Sequence, residues 1–168
     1  MDSKKKMFYS VDMDPHFIAV NIIALLYALK RFDEKRKFKF PQKLSSLIYF
    51  INAEDNVSLF KLKLDKEYKL KLLDYERLNN IFLKSKIIEP QINRVLNTLN
   101  DKGYICTCYN NNELSIYLNK KKCKFICEEI FSDLIKNTIE IQKIYIKISS
   151  VQYETYYSKL FKGIEYNE

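Results

Sequence analysis

A chain of 168 residues, 47% of them hydrophobic, is long enough to bury one core, and its formal charge of +8 favours contact with polyanions. Two glycines and three prolines exclude a glycine-rich loop fold and a long linker. Four cysteines without a secretory or membrane-spanning segment fit a cytoplasmic protein with reduced thiols.

Residues 1–13 read as a basic tail, with Lys4, Lys5 and Lys6 solvated. Asp14 and Pro15 then open a helix, as an acceptor cap followed by a residue preset for the first turn. The helix HFIAVNIIALLYALKRF is apolar nearly all round, which places it at the centre of the domain or against a partner. Its run from Phe17 to Leu29, interrupted by Asn21, falls short of the roughly 20 residues that span a bilayer. A second helix starts near Pro41, buries Leu44, Leu47, Ile48 and Ile51, and ends near Asn52 in a polar loop, AEDN.

From Ser58 to Leu72 apolar and basic residues alternate around DKEY. That pattern predicts a hairpin with Lys61, Lys63, Lys69 and Lys71 on its polar faces; a short helix leading into Asp74 is the alternative. Asp74 to Leu83 reads as a helix with Leu78, Ile81 and Phe82 inward, and KSKIIE as the turn after it.

Glu89 to Leu118 is the most informative stretch, and Glu89 and Pro90 suit the first turn of a helix. Ile92, Val95, Leu96 and Leu99 recur at helical spacing and face a core, leaving Gln91, Asn93, Arg94, Asn97, Thr98 and Asp101 outward. Gly103 falls where the helix end needs a left-handed backbone. Tyr104–Tyr109 and Glu113–Leu118 follow as a hairpin, with Asn110, Asn111 and Asn112 as its turn. Helix, turn, helix and hairpin together predict a mainly α fold with a small β wing: a winged helix-turn-helix over residues 14–119, with N-terminal helices and a C-terminal helical extension.

In such a unit the second helix meets the major groove and flanking lysines meet phosphates. The candidate nucleic-acid residues are therefore Gln91, Asn93, Arg94, Asn97, Thr98 and Lys102, joined by Lys120, Lys121 and Lys122 just past the wing. Double-stranded DNA is the expected nucleic acid. Further basic clusters lie at Lys35–Lys43 and Lys61–Lys71.

Residues 120–168 read as a helical interaction arm. Ile126, Ile130, Leu134, Ile141, Ile144, Ile148 and Val151 form one apolar seam that fits pairing with a second copy; the alternation in IYIKIS marks a break or strand near Ser149 and Ser150 as the competitor. Tyr153, Tyr156, Tyr157 and Phe161 are candidate partner-binding residues, of a type enriched at interfaces.

Cys106 with Cys108 on a strand, and Cys123 with Cys127 one helical turn apart, have spacings that would allow zinc. With the hairpin paired around Asn111, however, the first pair shares a face with Tyr104, Leu114, Ile116 and Leu118. Packing is therefore the expected role, with no metal and no cofactor. No phosphate loop, nucleophile pair or nuclease-like carboxylate spacing is present, and the lone His16 follows a helix-starting proline, so no enzymatic activity is expected.

DPHFIAVNIIALLYALKRF, then KFPQKLSSLIYFI, then the helix and hairpin ending GYICTCYNNNELSIYL resemble the small middle components of bacterial ABC three-component systems. These include the SMC-associated third subunit of Lamassu-type anti-phage systems. The likeness covers roughly residues 14 to 118 and is one of element order and apolar pattern. Where such families often carry an Asn-Pro-Ala-like step, this chain has Asp14, Pro15 and His16. The resemblance implies a non-catalytic subunit bound to an SMC-like or ABC ATPase, coupling foreign-DNA recognition to an effector subunit in antiviral defence. The alternative reading is a dimeric transcriptional regulator that reads duplex DNA with helix 89–101.

Overall fold

The computed structural model describes residues 14–124, 129 and 131–164. The basic tail, Ile126 and Ile130 of the predicted seam, and Cys127 of the second cysteine pair lie outside the described residues. The described chain is mainly helical, with one three-stranded antiparallel sheet in the order β1-β3-β2.

Helix α1 (Pro15–Ala28) starts as the sequence predicts, with the Asp14 carboxylate accepting from the His16 N–H at 2.8 Å. It ends without a glycine. Lys30 takes the left-handed conformation (φ 54°), and the Arg31 N–H donates to the Leu26 carbonyl at 2.9 Å. Ile18, Ile22, Leu25 and Leu26 are fully buried, so α1 is the central helix. Its one buried amide, Asn21, is satisfied, donating to the Phe17 carbonyl and accepting from Asn52 at 2.7 Å.

Strand β1 (Phe38–Lys39) pairs with β3, Phe38 opposite Ile116. At two residues it is too short to carry an alternating pattern, and sequence reasoning missed it. A turn of 3-10 helix from Pro41 leads into α2 (Leu44–Ile51), every residue of which is buried. The predicted hairpin at 58–72 is instead α3 (Glu54–Leu64), followed by a segment that bends at Lys66 and Glu67 and forms no strand. Glu54 and Asp55, expected in a loop, form its first turn, where negative charge complements the helix dipole. Val57, Leu59 and Phe60 face the core, so the lysine alternation masked a helical stripe.

The turn expected at KSKIIE does not form. Residues 72–101 are one helix of 30 residues, α4 (Leu72–Asp101), opened by Asp74 accepting from the Lys71 N–H at 2.9 Å. Its buried stripe runs unbroken through Leu78, Ile81, Ser85, Ile88, Ile92, Val95 and Leu99. Nothing from Lys84 to Ile88 favours a turn over a helix, and burial of Ile88 and Ile92 offsets the hydrogen bond that Pro90 cannot make.

Strands β2 (Ile105–Asn110) and β3 (Glu113–Leu118) form the predicted hairpin. Its turn has two residues, Asn111 and Asn112, both at positive φ (48° and 63°), with Asn110 paired to Glu113. This register pairs Cys106 with Tyr117 and Cys108 with Ser115, and Ile105 with Leu118. Cys106 and Cys108 therefore lie opposite the face bearing Ile105, Ile116 and Leu118, which corrects the expected core face: moving the turn centre by half a residue inverts the strand.

The expected single seam beyond residue 120 is broken. Helix α5 (Ser132–Ile144) packs on α1 and α3, residues 145–151 turn, and α6 (Tyr153–Phe161) returns against α3 and α4. The Lys39 N–H donates to the Ser149 carbonyl at 2.8 Å, so the break predicted near Ser149 forms and seats on β1. Asn137 caps α2 by donating to the Ile51 carbonyl at 2.8 Å. No helix among the described residues is long and apolar enough to cross a membrane.

Candidate nucleic-acid interface

The outer face of α4 over its last three turns carries Asn93, Arg94, Asn97 and Thr98, all exposed, whereas Gln91 is half-buried at the edge of the core stripe. Thr98 spends its hydroxyl on the Arg94 carbonyl at 3.0 Å, so it presents mainly a methyl group. Asp101, also exposed, stands two turns beyond Arg94 on the same face and opposes an approaching phosphate.

Gly103 ends the helix at φ +73°, and the Tyr104 N–H donates to the Leu99 carbonyl at 2.9 Å. The segment after β3 is stitched onto this terminus. Asn119 donates from its side chain to the Gly103 carbonyl at 3.0 Å and from its backbone to the Tyr104 carbonyl at 2.8 Å. Lys122 donates to the Lys102 carbonyl at 2.6 Å and lies over the Tyr104 ring, a cation at the negative end of the helix dipole. Lys102, Lys120, Lys121 and Lys122 are all exposed, and the stitching brings them together beside the end of α4. Lys120 lies over the Phe32 ring, 5.3 Å from its centroid.

The tyrosine-rich tail is placed differently. Tyr156 and Phe161 are core residues, 0% and 1% exposed, while Tyr153 and Tyr157 are half-buried. The Tyr156 hydroxyl meets the Ser46 hydroxyl at 2.7 Å, and Phe161 packs against Phe50 and Phe82. Burial holds the Tyr156 phenol above its usual range. Other apolar residues do reach the surface, among them Leu72, Leu73 and Ile146, and also Leu83 and Ile87, one turn apart on α4 and 52% and 57% exposed. Ile87 falls in the segment expected to turn, and Leu83 is the last residue of the helix expected before it, so neither has a predicted outward face.

Among the described residues, no group of three or more His, Cys, Asp or Glu gathers where it could hold a metal. Cys106 and Cys123 line one shared cleft, and burial raises the Cys123 thiol to about 11, which keeps it protonated and inert at neutral pH. His16 stands exposed in the first turn of α1, with its backbone N–H on the Asp14 carboxylate. No protein-family model matches the chain, and no curated protein or solved structure matches it either.

Proposed function

We propose that the chain is a non-enzymatic accessory subunit that holds duplex DNA by its phosphates without reading sequence, and docks onto an SMC-like or ABC ATPase. The observation that carries this reading is the clamp of residues 119–122 onto the end of α4, which fixes the segment bearing the exposed Lys120, Lys121 and Lys122 next to Lys102 at the hairpin base. The element order supports a winged-helix unit: helix, short strand, helices, hairpin, with β1 on the free edge of β3. In that reading the whole of α4 takes the recognition-helix position, with residues 89–101 as its second half. Protein docking falls to Leu83 and Ile87 rather than to the buried Tyr156 and Phe161.

The dimeric regulator has less support. A recognition helix points its N-terminal residues at base edges, whereas residue 89 lies in the interior of α4 with more than four helical turns before it. Helix α5 also buries Thr138 and Ile141 within its own chain, so that apolar face is not free for a second copy.

The test is duplex binding followed by fluorescence anisotropy over a salt series. Replacing Lys120, Lys121 and Lys122 by glutamine lowers the affinity for random duplex and reduces the salt slope by up to about 3. Arg94→Ala weakens all sequences equally. Unchanged binding by the triple variant overturns the phosphate clamp, and a preference lost at one base pair in Arg94→Ala favours the regulator. Affinity purification from the native cell recovers an ATPase with the wild-type chain and loses it with Leu83→Asp plus Ile87→Asp.

A further inference from the structure

A cleft of about 760 Å³ opens between the end of α1 and the base of the hairpin. Its walls carry the rings of Tyr27, Phe32 and Tyr117, and its rim carries Lys120, Lys121 and Lys124. A second cleft, of about 410 Å³, shares Tyr27, Phe32 and Lys120 with the first and continues to Lys30 and Arg36. Together they form one bent groove with aromatic walls and a cationic rim. No carboxylate lines either part, although the nearby Asp33 engages Arg36 at 2.7 Å.

The groove is rigid where it is aromatic. Tyr27 and Phe32 meet edge to face with centroids 5.7 Å apart, and both sit where the left-handed turn at Lys30 reverses the chain. That reversal is tied to the hairpin by the Leu118 N–H donating to the Arg31 carbonyl at 2.7 Å. Burial first, and the neighbouring Arg36 charge second, hold the Arg31 guanidinium below its usual pKa. Hydrogen bonding with Cys106, and more weakly the charge of Glu34, keep the Tyr117 phenol protonated. Its ring is therefore a neutral stacking surface.

We infer that this groove binds single-stranded nucleic acid, with unpaired bases against Tyr27, Phe32 and Tyr117 and phosphates along Lys30, Lys120, Lys121 and Lys124. A duplex hides its base faces in its own stack and meets only a basic rim, so aromatic walls add nothing to duplex binding. They add about 1 to 3 kcal/mol per base to an unpaired strand. In the free protein the Lys120 ammonium covers the Phe32 ring. A base that takes this face releases an exposed cation to the adjoining phosphate, and the cation–π contact is exchanged for stacking plus a charge pair. This inference rests on the nucleic-acid reading above only for the sign of the ligand's charge.

The chain has 13 tyrosines and no tryptophan, so intrinsic fluorescence reports tyrosine directly. Titrating the full chain with a short oligothymidine quenches this emission, and the quench is reduced in Tyr117→Leu. Tyr117→Leu and Phe32→Leu each weaken oligothymidine binding roughly tenfold, the stacking contribution of about one base, while random-duplex binding is unchanged. Lys121→Gln with Lys124→Gln lowers the oligothymidine salt slope by roughly 1.4. Arg94→Ala with Lys102→Gln weakens the duplex and spares the oligothymidine, so loss of the duplex reading leaves this one standing. Equal affinity of both aromatic variants and wild type for oligothymidine overturns the inference. So does equal affinity for oligothymidine and for an abasic oligonucleotide of the same length, which reduces the groove to a phosphate patch.

Discussion

The Lys43 ammonium is fully buried and donates to the Ile148 carbonyl at 2.7 Å, joining the start of α2 to the turn between α5 and α6. A second bond reaches the Val151 carbonyl at 2.8 Å, and the Phe38 ring lies 4.8 Å from the nitrogen. No carboxylate takes part in these contacts. Burial therefore dominates and pushes the Lys43 pKa down to about 7.

This depression makes stability depend on pH in a defined direction. Between about 7 and 10.5 the unfolded chain holds a proton at Lys43 that the native chain has released, so stability rises with pH in that window. Below 7 the buried charge is carried in full. Cys123 works in the opposite sense above about pH 9, because its native thiol stays protonated to about 11 while the unfolded thiol ionises. Urea midpoints should therefore climb from pH 7 to pH 9, and Lys43→Met should flatten the climb; parallel curves for the two proteins would refute the assignment to Lys43.

Tyr156 distinguishes a core helix from a docking arm. Tyr156→Phe removes one buried hydrogen bond and costs about 1 kcal/mol, and Tyr156→Ala leaves a cavity that costs about 3 to 5 kcal/mol. Both losses should appear in thermal melts of the isolated chain. A Tyr156→Ala protein as stable as wild type would mean that α6 is not packed as described.

Pro90 tests the continuity of α4. In an unbroken helix Pro90→Ala restores a backbone donor to the Lys86 carbonyl and raises stability by about 1 to 3 kcal/mol. Far-ultraviolet circular dichroism should show equal or greater helicity. If residues 84–88 formed a turn with Pro90 at the start of the following helix, the substitution would be neutral or harmful.

Backbone strain at Gly103 differs from crowding. A Cβ there would meet only the Lys122 side chain, at an ordinary 3.5 Å, so Gly103→Ala costs about 1 kcal/mol through its positive φ alone. Lys30→Gly should show the reverse, a gain of up to about 1 kcal/mol, since Lys30 holds the same conformation with a side chain. Chemical denaturation of both variants checks the pair.

The helices with a cap and a clean apolar stripe were legible in the sequence. Asp14 with Pro15 marked α1, Pro41 marked the approach to α2, and Gly103 with the asparagines placed the end of α4 and the hairpin. What misled was punctuation. Pro90 looked like a helix start because a proline is most comfortable there, yet the period through Ser85 and Ile88 was already continuous with both flanks. Lys61 and Lys63 alternate with apolar residues as in a strand, while Val57, Phe60 and Leu64 recur at helical spacing; the longer window decides. Of the candidate interface, the exposed residues on α4 were legible from one helical face. The groove was not, because Tyr27, Phe32 and Tyr117 meet only after α1 reverses at Lys30 and the hairpin folds back over it.

Helix α4 also fixes a distance. Its 30 residues, at roughly 1.5 Å each, make a rod about 45 Å long, with the exposed Leu72 and Leu73 at one tip and the lysine-rich hairpin base at the other. Anything bound at the first tip would be held away from anything bound at the second by a spacer whose length is counted in residues. Removing seven of them would draw the two together by about 10 Å while rotating the outer face by only about 20°.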